Sequence, residues 1–310
     1  MAATSVLLSK LGSMMLMMVV GFVIVRLHVM KTEDAKILSK LTVMVLTPCL
    51  IIRAFEIDLT PERLKGFIAC VIFAASSYIV WIPLSRLMKR PFHLTAVDRA
   101  TMIYPNVGNL ILPLVQMTLG EDMVFYAAAM QVPFNLFVWT HGLSLIGGRE
   151  QINPKKMFLN SNMVALMIGI VVLITGFRPP DVINTAISGL ADMVGPLSMV
   201  SIGMTIAGES LKKIFAMKKA YPVVAVRLLI FPLIMILLLA ASGLTRRSSD
   251  LLPVLQVVMM GIAAPPAATV AQLSLVYDND PFAASVYSVI GNIFCVITIP
   301  FMLYLYQMIL

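Results

Sequence analysis

The sequence predicts an all-α integral membrane protein: ten transmembrane helices in two inverted five-helix repeats, with helices 4 and 9 broken where they cross. Three observations carry this expectation. The chain is 60% hydrophobic and 12% charged, with a mean hydropathy of +0.95, whereas an ordinary soluble domain is about 25% charged. Ten mostly apolar stretches of the length that crosses a bilayer follow one another with short polar connections. Prolines interrupt two of these stretches in matching places of the two halves.

In order, the stretches are 6–27, 37–55, 65–87, 98–119, 123–146, 157–176, 183–207, 220–243, 251–275 and 283–308. The first is apolar from Val6 and shows no clear small-residue cleavage site, so it reads as a true span and not a removable signal. The longest polar connections, Gly147 to Lys156 and Glu209 to Lys219, leave no room for a soluble domain. Loops after spans 1, 3, 5 and 7 carry Arg26, Lys31, Lys36, Lys40, Arg86, Lys89, Arg90, Arg99, Arg149, Lys155, Lys156, Lys212, Lys213, Lys218 and Lys219. The opposite side carries Lys10, Arg53, Arg63, Lys65, Arg178, Arg246 and Arg247. The richer side is expected to be cytoplasmic, which puts both termini on the non-cytoplasmic side of an inner or plasma membrane.

An odd number of spans per half forces the halves, 1–148 and 149–310, into opposite orientations. Proline order supports the division: Pro48 matches Pro196, Pro83 matches Pro232, and Pro105 matches Pro265. The breaks themselves read Thr101-Met102-Ile103-Tyr104-Pro105-Asn106-Val107-Gly108-Asn109, with a second proline at Pro113, and Gly261-Ile262-Ala263-Ala264-Pro265-Pro266-Ala267-Ala268-Thr269. Proline removes an amide donor and clashes with the preceding turn. Broken backbone is tolerated at membrane depth only where protein or a water-filled cavity covers it. Two such segments in corresponding positions point to a transporter's binding site, where half-helix N-termini offer free N–H groups and a partial positive charge to an anion.

Other classes fit poorly. The formal charge of +8 comes without the basic stripe and interleaved aromatics of a nucleic-acid surface, so the expected partners are the lipid bilayer and a small organic anion, not nucleic acid. Cys49, Cys70 and Cys295 lie in apolar spans and read as small hydrophobes. The 24 methionines read as adaptable packing, and neither a metal nor a cofactor is expected. Paired aspartates, a zincin motif and a Gly-x-Ser-x-Gly element are all missing, which argues against an intramembrane enzyme.

Candidate binding residues are Pro105, Asn106, Asn109, Pro265, Pro266, Thr269, Gln131 and Asn135, with Gln272, Asn292, Arg227 and Asp192 in support. Asn106 and Asn109 could simply recap the severed helix, since asparagine favours caps and turns; a capping asparagine can also present its amide to a ligand. The proline breaks have a packed kink as their plainer reading. Thr269 and Gln272 either face the cavity or bond between helices. Gln131 and Asn135 are four apart and share a helix face. His141 is expected near the interface. Arg227, a charge inside span 8, is read either as a substrate-attracting or supporting group or as a snorkelling side chain; an Asp192–Arg227 pair is one arrangement open to it.

Three motifs in order carry a family resemblance. Asn106-Val107-Gly108-Asn109-Leu110-Ile111-Leu112-Pro113-Leu114 resembles the asparagine-x-glycine…proline-leucine element of the auxin efflux carrier family, which includes bacterial malonate-type carriers and the plant PIN-FORMED exporters. Pro196-Leu197-Ser198-Met199 with Gly203-Met204, and Tyr277-Asp278-Asn279-Asp280-Pro281 with Ala284-Ser285 and Thr298-Ile299-Pro300, are similar to its later elements. Ile111 departs from a frequent glycine. The resemblance implies the fold of the bile acid:sodium symporter and sodium-proton antiporter group. Spans 3–5 and 8–10 would then form a mobile transport domain, and spans 1, 2, 6 and 7 a scaffold, with elevator-type movement, an asparagine matching Asn106 on the substrate carboxylate, and a homodimer through the scaffold.

The expected function is therefore a secondary transporter for a mono- or dicarboxylate of the malonate or malate type, or an auxin-like acid. The alternative is a sodium- or proton-coupled carrier, against which stands the absence of Asp and Glu from 101–120 and 251–277. A channel or sensor is a third reading, separable by single-channel currents.

Overall fold

The computed structural model describes residues 2–148, 150, 158–208, 211–243 and 251–310. Arg149, Lys155, Lys156, Arg246 and Arg247, which enter the orientation argument, lie outside the described residues, as does the expected start of the second half at 149.

The described residues are almost wholly helical. In chain order the helices are α1 (Ala2–Arg26), α2 (Asp34–Leu41), α3 (Thr47–Ala54), α4 (Pro61–Lys89), α5 (Ala96–Ile103), α6 (Leu112–Leu119), α7 (Glu121–Ala129), α8 (Gln131–Phe137), α9 (Leu143–Gly147), α10 (Ser161–Thr175), α11 (Asp181–Asp192), α12 (Val194–Gly208), α13 (Leu211–Ala216), α14 (Ala220–Ala225), α15 (Phe231–Ser242), α16 (Leu252–Ile262), α17 (Ala268–Val276) and α18 (Pro281–Ile309). Helix lies over each of the ten predicted stretches. Among the described residues, six runs are long and apolar enough to cross a membrane: Asp34–Ala54, Pro61–Lys89, Glu121–Gly147, Asp181–Gly208, Ala220–Ser242 and Pro281–Ile309. The apolar helices Gly12–Arg26, Val107–Leu119, Ser161–Thr175 and Leu252–Ile262 are shorter.

Local chemistry sets the ends. Thr60 caps α4 ahead of Pro61, Asn160 caps α10 by accepting from the Met163 N–H at 3.1 Å, and Asp280 caps α18 ahead of Pro281. These residues satisfy N–H groups that a helix start leaves open. At α5, Thr95 and Asp98 form a reciprocal capping box.

The prolines act in two ways. Thr42–Leu46, Val107–Ile111 and Val226–Ile230 are π-helical turns, and Pro48, Pro113 and Pro232 follow them with one residue between. Widening the turn relieves the clash of the proline ring with the carbonyl four residues earlier. Pro113 therefore widens a helix without breaking it. Pro83 and Pro300 sit inside continuous helices.

Helices α1 and α12 pack most extensively, and two glycines explain how. A Cβ at Gly21 would strike the Val200 carbonyl, and one at Gly203 would strike that of Met18, so the backbones touch in the manner of small-residue membrane interfaces. Outward-facing large apolar side chains such as Leu16, Ile72, Ile79, Val182 and Ile297 are exposed, as lipid-facing positions require.

Candidate functional site

Helix α5 ends at Ile103 and α16 at Ile262, and the chain resumes helix at Val107 and Ala268. The two interruptions pair with each other. The Asn106 N–H donates to the Pro265 carbonyl at 2.8 Å, and the Ala267 N–H donates to the Tyr104 carbonyl at 2.9 Å, which makes an isolated antiparallel bridge between Pro105 and Pro266. All three prolines are buried. Each break thus supplies the backbone partners that the other lacks. Gly291 on α18 lets that helix press onto the Pro266 ring, because a side chain there would collide with it.

Arg227 holds the two C-terminal half-helix ends. Its side chain is fully buried. Nε donates to the Ala264 carbonyl at 2.9 Å, one terminal nitrogen donates to Met102 and Ile103 at 3.1 and 3.3 Å, and the other donates to Ile262. The guanidinium lies over Trp81, 4.6 Å from the ring centroid, and Trp81 stacks on Phe231. A helix C-terminus carries partial negative charge, so one cation offsets two of them. Among the described residues no carboxylate pairs with Arg227. Its π turn, caused by Pro232, redirects the side chain at this point in the helix.

The N-terminal half-helix ends differ. Asn106 is 7% exposed, and its Oδ1 accepts from the Asn109 N–H at 3.3 Å, so it does recap the first resumed helix. Helix α17 starts at Ala268, and its N-cap residue, Ala267, offers no side-chain cap. Asn109 and Thr269 are half-buried beside these two ends.

The remaining predicted residues divide. Gln131 is 1% exposed with an unpartnered Nε2. Asn135 spends its amide on its own helix segment, donating to the Gln131 carbonyl at 2.8 Å and accepting from Trp139 Nε1 at 3.3 Å. Asn292 donates to Ser288 O, and its Oδ1 is buried and unpartnered. Gln272 is exposed, a correction to its place among the supporting residues. Asp192 bonds Arg53 at 2.8 Å and accepts from Gln116 Nε2 at 3.2 Å, so the Asp192–Arg227 pair is not formed. His141 turns inward, its Nδ1 2.8 Å from the Tyr104 hydroxyl, where an interfacial place was expected.

Sequence reasoning missed several groups. Tyr104 stands in the first broken segment without a role of its own, and Trp81 carries no motif. Arg53 was counted only for topology, yet it joins α3 to Asp192 and to Glu121 on α7 beside a cavity of about 330 Å³. Glu56, in the loop after α3, lines the same cavity; burial pushes its carboxyl up, opposed by Arg178 and Arg53. Asn162, in the first turn of α10, carries no sequence signal that singles it out.

A family model described as membrane transport protein matches residues 6–157 and again residues 150–303. The chain belongs to that family, the auxin efflux carriers. It is a multi-pass membrane protein of a transporter family, and the paired breaks of this auxin efflux carrier family member fall within its two matched regions. No curated protein matches the chain.

Proposed function

We propose that this chain is a secondary transporter for a small organic anion, with the substrate carboxylate held at the paired breaks. One observation carries the reading: a buried arginine, without a carboxylate partner among the described residues, holds the C-terminal sides of two paired helix interruptions, and the second of these resumes helix without a side-chain cap. Arg227 cancels the negative helix ends, which leaves the positive ends and a net positive charge to attract an anion. Asn106, Asn109, Thr269 and the Pro105 and Pro265-Pro266 turns form the first contacts, and Gln131 lies beside them. A mono- or dicarboxylate of the malonate or malate type, or an auxin-like acid, fits this chemistry.

Ten spans in two inverted repeats, 1–148 and 149–310, are the topology that goes with this reading, and the two successive family matches support it. Spans 3–5 and 8–10 move as an elevator against spans 1, 2, 6 and 7. The Arg53–Glu121 and Asp192–Gln116 contacts then join fixed to moving helices, and must part during the cycle. Sodium coupling at the crossing is disfavoured, because the carbonyls that would hold a cation already accept from Arg227.

Uptake of labelled carboxylates into proteoliposomes, with and without sodium, tests the proposal. Saturable, sodium-independent uptake that falls in Asn106→Ala supports it. Undiminished uptake in the variant removes Asn106 from the site.

A further inference from the structure

Among the described residues a fourth π turn, Val138–Gly142, has no proline behind it. The other three precede Pro48, Pro113 and Pro232. This turn closes instead on Tyr104. The carbonyl of Phe137, just ahead of the turn, accepts from the Tyr104 hydroxyl at 3.0 Å, and His141 Nδ1 lies 2.8 Å from the same hydroxyl. Gly142 lets the backbone meet the ring, since a Cβ there would lie 3.0 Å from it. Tyr104 is fully buried, and its own carbonyl accepts from Ala267 in the bridge between the breaks. One residue therefore joins a titratable histidine to the crossing. Single π turns are frequent at functional sites.

The hydroxyl fixes where the imidazole carries its hydrogen. It has one proton to donate and two neighbours in reach, and the Phe137 carbonyl can only accept. Both contacts are met together only when Nδ1 carries a hydrogen and donates to the tyrosine oxygen. A second ring proton then belongs on Nε2, which has no protein partner among the described residues. His141 is half-buried. The charged and titratable groups about it are Arg99 on α5 and Tyr104 just after that helix, with Arg86 of α4 close to Arg99 and Tyr78 of α4 tilted against Tyr104. Asp98 is already held by Lys219 and Tyr287. Among the described residues no carboxylate pairs with the imidazole, so an imidazolium here lacks a counter-charge from the protein. A bound anion supplies one.

We propose that His141 is a proton site linked to the anion site through Tyr104, so that the protein binds its anion together with a proton. This inference rests on the reading that the breaks hold a carboxylate. The proton comes from water and adds to the Nε2 lone pair; no other bond forms or breaks. The imidazolium attracts the anion, and by reciprocity the anion raises the affinity of the histidine for its proton. Anion affinity is therefore highest below the histidine range and falls as pH rises through it. Release of both on the opposite side couples anion movement to the proton gradient.

The experiment measures binding of malonate, malate and indoleacetate to the detergent-solubilised protein by titration calorimetry, at about pH 6 and about pH 8, either side of the ordinary histidine pKa. Wild type is expected to bind its preferred acid at least about fivefold more tightly at the lower pH, the low end of usual coupling between sites. It should also take up protons on binding, read from the heats in buffers of different ionisation enthalpy. The acid's own carboxyls titrate alike with every variant, so differences between variants report the protein. His141→Gln should lose the pH dependence and the proton uptake, with its loss of affinity confined to the lower pH. Tyr104→Phe, which keeps the ring and the histidine but cuts the hydroxyl link, should shrink both. Weakening by an equal factor at the two pH values marks a merely structural role and overturns the proton site. Wild-type affinity that is flat in pH without proton uptake overturns it too, as does an unchanged pH dependence in His141→Gln. If an acid binds and Asn106→Ala weakens that binding, the reading of the breaks survives such a loss. If none of the three binds at either pH, the underlying reading falls, and the proton site with it.

Discussion

The Arg227 guanidinium lies over Trp81, 4.6 Å from its ring centroid, with hydrogen bonds to carbonyls on both sides of the crossing. The ring covers the cation, and the cation binds the ends of α5 and α16 together. A lysine could bring charge here, but not a planar fork of five donors.

Arg227→Leu orphans several buried carbonyls, each costing about 1–3 kcal/mol. The expected loss is on the order of 3–5 kcal/mol, or about 10 °C in apparent melting temperature for a chain of this size. Arg227→Lys should recover part of it. Thermal unfolding in detergent measures both, and a Leu variant as stable as wild type would refute the role.

Asn106→Ala removes one cap, at about 1 kcal/mol, and one hydrogen bond to a charged ligand, at about 1.5–3 kcal/mol. Initial uptake rates should give a kcat/KM lower by about 10- to 100-fold, with melting temperature little changed.

Glu121→Gln weakens the link to Arg53. Glu121 is 56% exposed at its side chain, so the pair contributes at most about 1 kcal/mol, roughly a fivefold shift between conformations. Ser188→Cys, which lines the same cavity, should react with an impermeant maleimide about five times faster in the Glu121→Gln background.

Glu56 has its folded pKa raised above the ordinary 4.5. Its contribution to stability is therefore full below that value and is lost as pH rises through the folded pKa. Glu56→Gln should raise the melting temperature at pH 7 and make no difference near pH 4. A variant that behaves alike at both pH values would contradict this.

The helix breaks were legible because proline removes a donor locally and because Pro105 comes with Asn106 and Gly108, and Pro265 with a second proline, whereas the lone Pro83 and Pro300 sit inside continuous helices. The partnership of the breaks was only inferable from symmetry, and the bridge between residues 105 and 266 has no local signature. Arg227 announced itself as a charge in an apolar run, but its acceptors are carbonyls, which every residue has. Arg53 was opaque for a related reason. Its role depends on which helix lies opposite, and an arginine at a helix end is ordinary in itself. The π turns were equally hidden, since Pro48 and Pro113 widen their helices while Pro83 leaves its helix regular.

The bridge between residues 105 and 266 also bears on how the protein matures. Until residues 251–276 have been synthesised and inserted, the Asn106 N–H and the Tyr104 carbonyl have no backbone partner, and lipid provides none. The early helices must wait at the translocon, or under a chaperone, as an unfinished intermediate. An amino-terminal fragment made alone should be cleared by quality-control proteases, and one co-produced with its carboxyl-terminal complement should be rescued.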